Sequence, residues 1–317
     1  MDVRQRVRSI IATNLSLRDG ETLLVVTDDP SREVGELFYK EAQAMHHDVQ
    51  LMVMPEGQVA GEEPPAPVSA AMRAADVAAC PTAKSITHTN ARIEAAAAGT
   101  RVVTMPGVTL GMLREGGACA DYDEVEVLTA QLTERLTQAT TARIEKGGHT
   151  LTLDLAGRAG VASPGVYRTP GSCGNFPSGE AYIAPREDGA NGTMAIDGSM
   201  VSIGTLSQPL IATLADGRLT GIEGENESGP YADQLSILFA RPENGTIAEL
   251  GIGTNKSAKL CGIILEDEKL YGTVHLAFGT NVSFGGTTKA DCHYDGIILK
   301  PTLYLDDECV IRDGEFC

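Results

Sequence analysis

Between Glu21 and Met105, short apolar runs alternate with helical stretches, and that alternation leaves few folds open. Residues 21–27, ETLLVVT, are continuously apolar enough for a strand buried on both faces. Asp28-Asp29-Pro30-Ser31 then gives turn and helix-start signals. A helix is predicted over 32–46 and a strand over 49–54. Helix 68–75, strand 77–80, helix 91–98 and strand 101–105 continue the pattern. Strand–helix–strand order argues for a parallel sheet with crossover helices. Ahead of it, Val3, Val7, Ile10, Ile11 and Leu15 share one helical face; behind it, Leu128, Leu132 and Leu136 align in a helix predicted over 125–142.

The first 147 residues are therefore expected to form an open, parallel-sheet α/β domain. Its first strand runs into Asp28-Asp29-Pro30, so the glycine fingerprint of a dinucleotide site is missing, as is a P-loop. The expected boundary is Lys146-Gly147-Gly148, with a β-rich α+β domain over 148–317. There Leu151, Leu153 and Leu155 alternate, a Gly/Pro/Ser-rich stretch covers 157–179, a helix is predicted over 231–240, and a hairpin is expected with arms 297–305 and 309–311. No repeat of 20–50 residues is found.

Composition excludes some partners. Lys plus Arg number 25 against 43 Asp plus Glu, a net charge of −18 that repels nucleic acid and anionic membranes. Aromatic residues make up 4% and Trp is absent, which argues against a base-stacking platform. The amphipathic segment MDVRQRVRSIIATNL has too short an apolar core for export or membrane spanning, so a cytoplasmic protein is expected. Seven cysteines, an odd number with no CxxC, suit reduced thiols.

The chemistry concentrates late in the chain, in residues 272–295, GTVHLAFGTNVSFGGTTKADCHYD. His293 and Asp295 are two apart, so an extended backbone points both to one face. His275 sits in a short apolar run, Glu249 inside the Gly-punctuated run IAELGIGTN, and Glu180 follows the turn-rich GSCGNFPSG. Glu180, Glu249, His275, His293 and Asp295 form a candidate set of metal ligands. Imidazole and carboxylate suit Zn, Co, Mn or Fe(II), and carboxylates could bridge two ions. The same residues admit a plainer reading: His275 as a satisfied strand histidine, Glu180 and Glu249 capping turns, and Asp295 opening a turn with Gly296.

Six segments carry a family resemblance. Residues 175–185, NFPSGEAYIAP, with Asn191-Gly192-Thr193 after them, resemble the NxPxGEVFxAP…NGT segment of the aminopeptidase T/aminopeptidase S metallopeptidase family. Residues 248–255 resemble its AELGxGTN, and 267–279 its DEKxxGTxHxAxG. His293-Tyr294-Asp295 matches its closing HxD. Residues 87–92 and 105–109 are similar to segments of its N-terminal half. The resemblance implies a dinuclear site held by Glu180, Glu249, His275, His293 and Asp295, with one carboxylate, Glu249, as general base. It implies a homodimer that removes N-terminal residues from peptides.

One departure opens a second reading. The family carries a tyrosine ligand seven residues after its first histidine, where this chain has Val282. A single ion on His275, His293 and Asp295 would be a 2-His-1-carboxylate arrangement, suited to Fe(II) and oxygen chemistry. The related 2,5-dihydroxypyridine 5,6-dioxygenases look so, and in them a histidine at the position of His88 approaches the site as an acid/base or substrate contact. His88 reads equally well as a helix N-terminal histidine. The expectation is thus a metal-dependent aminopeptidase-type hydrolase acting on peptides or small molecules. Its alternatives are a mononuclear Fe(II) ring-opening dioxygenase and a non-catalytic metal-binding relative.

Overall fold

The computed structural model describes residues 2–223 and 231–317. Two compact units divide it, one built from residues up to Glu126 with Gly165–Ser178, the other from Val127–Pro164 with Gly179–Cys317. The first unit is the expected α/β body. Its sheet is parallel throughout, in the order Asp48–Met54, Thr22–Asp28, Val77–Thr82, Arg101–Pro106 and Cys173–Asn175. Helices Arg32–Ala44, Ala66–Ala74 and Asn90–Ala97 connect the first four strands. Every residue of Val77–Thr82 is buried, whereas the edge strand Asp48–Met54 mixes buried and exposed positions. The first helix, Val3–Ser9, has a capping box from Asp2 and Gln5 and continues into a π-turn, Ile10–Asn14.

Four expectations change. The Gly/Pro/Ser-rich stretch supplies the fifth strand of the first sheet, Cys173–Asn175, beside Arg101–Pro106. Lys146-Gly147-Gly148 is not a linker but the turn of a hairpin, since Thr141–Lys146 and His149–Asp154 pair along their whole length in the second unit. The helix predicted over 125–142 runs Tyr122–Gln138, and its last predicted residues belong to that hairpin. The predicted arm 297–305 is likewise two strands, His293–Ile298 and Thr302–Leu305, in different sheets.

The second unit stacks two antiparallel sheets, of eight and seven strands, whose inner faces merge in one apolar cluster. Leu151, Leu153, Met194 and Ala212 come from the larger sheet, and Leu250, Ile252, Leu276, Phe278 and Ile298 from the smaller. The smaller sheet sets His293–Ile298, Val274–Gly279, Ile247–Gly253 and Glu180–Ile183 side by side. Among the described residues no helix is long and apolar enough to cross a membrane.

Arg101 begins a central strand of the first unit with a fully buried guanidinium that pairs with Glu21, while its Nε and Nη1 find no partner. Removing one member of such a pair leaves a buried charge uncompensated, which costs about 3–5 kcal/mol. Glu21 keeps partial solvent contact, so Glu21→Ala is expected near the lower end, about 3 kcal/mol, measured by urea unfolding.

Candidate metal centre

Antiparallel pairing selects which side chains meet. Gly251 pairs with His275, Gly253 with Glu180, Ala277 with both Glu249 and Asp295, and Gly279 with His293. Directly paired residues share a face, so the five candidate donors project from one side of the sheet. Leu250, Leu276 and Phe278 project from the other, into the core. The strand carrying Glu249 needs one irregularity to do this. Strict alternation would put Ile247 and Glu249 on the same face. The register shifts between them, so Ile247 pairs with Phe278 and joins the core while Glu249 turns to the donors.

His275 is fully buried, with Nε2 3.2 Å from Glu249 Oε1 and 3.4 Å from Glu180 Oε2. His293 Nε2 stands 3.4 Å from both Glu249 Oε2 and Asp295 Oδ1. His293 Nδ1 donates to the Thr280 carbonyl at 2.8 Å, so in the neutral ring the lone pair is on Nε2, facing the carboxylates. His275 lies over Gly251: a Cβ there would stand 1.9 Å from Nε2.

Two further residues join the cluster. Lys269 is fully buried; its Nζ donates to Glu180 Oε1 at 2.5 Å and also contacts Glu268 Oε1. Among the described residues, Glu268 belongs to one of two triplets whose ligand atoms lie within 4.8 Å of one another, Glu268–His275–Asp295; the other is Glu180–Glu249–His275. Neither residue was a sequence candidate, because an Asp-Glu-Lys run ordinarily marks a solvated face. The available signal was its place, a tight turn ahead of the His275 strand. Val282 is exposed and apolar and offers no ligand atom. His88 lies on the exposed turn ahead of helix Asn90–Ala97, in the first unit.

The charge of the cluster suits a cation. With both imidazoles neutral, the carboxylates of Glu180, Glu249, Glu268 and Asp295 face the single ammonium of Lys269. Buried carboxylates in excess require a compensating cation. Glu180 Oε2 is buried without a hydrogen bond, 3.4 Å from His275 Nε2, and so keeps acceptor capacity that a cation could use. The oxygen and imidazole donors fit Fe(II), Mn, Co or Zn alike.

Without an ion, protons do the compensating. Burial would raise Glu249, but hydrogen bonds from His275 and His293 hold it down at about 2. Burial would lower His275, but Glu249 and Glu180 bring it up to about 9. Burial likewise opposes His293, which Asp295 and Glu249 push up. Burial, with Glu180 and Asp295 nearby, lifts Glu268 to about 8 against the pull of Lys269.

The signs follow by linkage. His275 and Glu268 are raised in the fold, so their stabilisation is full below 6.5 and 4.5 and is lost as pH climbs through about 9 and about 8. Glu249 is depressed, so its share is present above 4.5 and lost only as pH falls toward about 2. The metal-free protein is expected to lose thermal stability between pH 6.5 and about 9. A bound divalent ion displaces those protons, so the loaded protein should show a flatter or reversed slope, measured by calorimetry with and without metal. Gly251→Ala is expected to push the His275 ring aside and weaken metal affinity roughly 10- to 100-fold, the range for disturbed ligand support, read by metal titration.

The family model described as NicX, 2,5-dihydroxypyridine 5,6-dioxygenase, matches residues 13–317. The 2,5-dihydroxypyridine 5,6-dioxygenase of Pseudomonas putida KT2440 is 28% identical over 238 residues, 68% of this chain and 64% of that protein, so the match spans less than two thirds of the relative's length. A solved structure of 2,5-dihydroxypyridine dioxygenase from Pseudomonas putida KT2440 superposes with a TM-score of 0.84 at 20% identity, over 99% of this chain and 96% of the other. Wild-type AmpT from Thermus thermophilus superposes with a TM-score of 0.72 at 15% identity, over 99% and 98%. At these identities the two structures share the fold: a parallel α/β sheet with antiparallel sheets.

Proposed function

Because the chain belongs to the 2,5-dihydroxypyridine 5,6-dioxygenase (NicX) family, we propose that it is an Fe(II)-dependent dioxygenase that opens a dihydroxylated nitrogen-heteroaromatic ring. The family match over residues 13–317 carries this reading. It displaces the aminopeptidase-type hydrolase as the leading expectation, since the curated relative is a dioxygenase and AmpT shares the fold alone. Two features of the centre agree. Val282 replaces the tyrosine ligand, and Lys269 already occupies one oxygen of Glu180, leaving that carboxylate poorly placed to bridge two ions.

In this reading His275, His293 and Asp295 hold the ion, with Glu249 between the two imidazoles. Fe(II) supplies the one-electron chemistry that lets dioxygen react with a closed-shell ring. The protein supplies position and protons. The Thr280 carbonyl fixes the His293 tautomer, so Nε2 would present its lone pair to the ion, and Glu249, beside both imidazoles, could hold a proton given up by a substrate hydroxyl. Lys269 keeps Glu180 and Glu268 in place as charge shifts nearby.

Protein reconstituted anaerobically with Fe(II) is expected to consume dioxygen and 2,5-dihydroxypyridine in equal amounts, followed by an oxygen electrode and ring absorbance. His275→Ala and Asp295→Ala should each lower uptake roughly 100-fold or more. One iron per chain, retained in Glu249→Ala, agrees with a single ion. Release of amino acid from an aminoacyl amide with Zn, Co or Mn, and no oxygen uptake with Fe(II), would return the assignment to the hydrolase.

A further inference from the structure

Away from the metal centre, two of the seven cysteines are brought together by a second irregularity. Strands Glu308–Arg312 and Glu315–Phe316 pair Ile311 with Phe316 and Arg312 with Glu315, which sets Val310 across from Cys317. The Cys317 amide donates to the Val310 carbonyl at 3.0 Å. Strict alternation would put Cys309 on the opposite face from Val310, and hence from Cys317. On its other side, however, Glu308–Arg312 pairs with Thr302–Leu305 in a register that shifts between Leu303 and Tyr304, so that Leu303 meets Ile311 and Tyr304 meets Cys309. The extra residue, Val310, is buried with Ile311, and Cys309 turns outward. Cys309 Sγ then lies 2.8 Å from Cys317 Sγ. Both are free thiols, Cys317 exposed and Cys309 half-buried. Arg312 places positive charge near the pair, while the hydrogen bond with Cys309 holds the Cys317 thiol above its ordinary value.

The hairpin bearing these thiols packs against the turn ahead of the His275 strand. The Phe316 ring packs edge-on against Tyr271, centroids 4.8 Å apart. The Gly314 carbonyl oxygen lies 1.9 Å from where a Cβ on Gly272 would stand. Tyr271 and Gly272 form the turn between Lys269 and the His275 strand.

We propose that Cys309 and Cys317 are a reversible dithiol–disulfide pair, oxidised by low-molecular-weight disulfides, that staples the C-terminal hairpin against the Tyr271–Gly272 turn. The Cys317 thiolate attacks one sulfur of a glutathione disulfide, forms a mixed disulfide and expels one glutathione thiolate. Cys309 gives its proton to solvent, attacks the Cys317 sulfur and expels the second glutathione. Two protein thiols become one disulfide and one glutathione disulfide becomes two thiols, with no other reagent consumed.

The test treats the whole protein with excess oxidised glutathione and combines peptide mass spectrometry with amide exchange. The chain is expected to lose two hydrogens, with the Cys309 and Cys317 peptides linked, and exchange across Tyr271–Val274 should slow. Cys309→Ser and Cys317→Ser should each carry a glutathione adduct on the remaining cysteine of the pair and show no slowing. A stable adduct on Cys317 of the unsubstituted protein, links to other cysteines or between chains, or unchanged exchange across Tyr271–Val274 after linkage would overturn the proposal.

Discussion

A β-strand offers alternate side chains to its two faces, and the smaller sheet of the second unit spends one face on the core and the other on charge. Leu250, Ile252, Leu276, Phe278 and Ile298 hold the sheet to its partner. The alternate positions must then face away, and they carry Glu249 beside Leu250, His275 beside Leu276 and Asp295 beside the buried Tyr294, with Gly251, Ala277 and Gly279 on the same face. The apolar packing thereby fixes the donors: moving a donor by one residue would expose a core side chain. The bulge ahead of Glu249 lets one strand satisfy both demands where its sequence alone would not.

The charge gathered there is costly until something balances it. Lys269 balances part, protons on His275, His293 and Glu268 another part, and a divalent ion would replace the protons. The centre is thus assembled by packing and completed by whichever cation is present. Its position owes little to attraction among its own groups.

Much of this was legible in the sequence. The parallel sheet of the first unit announced itself because buried central strands are continuously apolar, as in Thr22–Asp28. The convergence of Glu180, Glu249, His275, His293 and Asp295 was suggested by motif resemblance; the His-x-Asp spacing alone said only that two side chains share a face. Two things stayed hidden. Cys173–Asn175 forms a strand through backbone pairing to Arg101–Pro106, with no apolar pattern to betray it. Lys269 is buried and Glu268 half-buried beside it, and composition cannot distinguish such a pair in the interior from one in water.

The return of Gly165–Ser178 to the first unit bears on how the chain is made. Synthesis runs from the N-terminus, and the last strand of the first sheet, Cys173–Asn175, is not yet available when its first four strands have been built. By the time it emerges, the Thr141–Lys146 and His149–Asp154 hairpin of the second unit has already been made. The first sheet therefore keeps an open edge at Arg101–Pro106 until a hairpin belonging to the second unit has been synthesised, although it can close before Gly179–Cys317 is made.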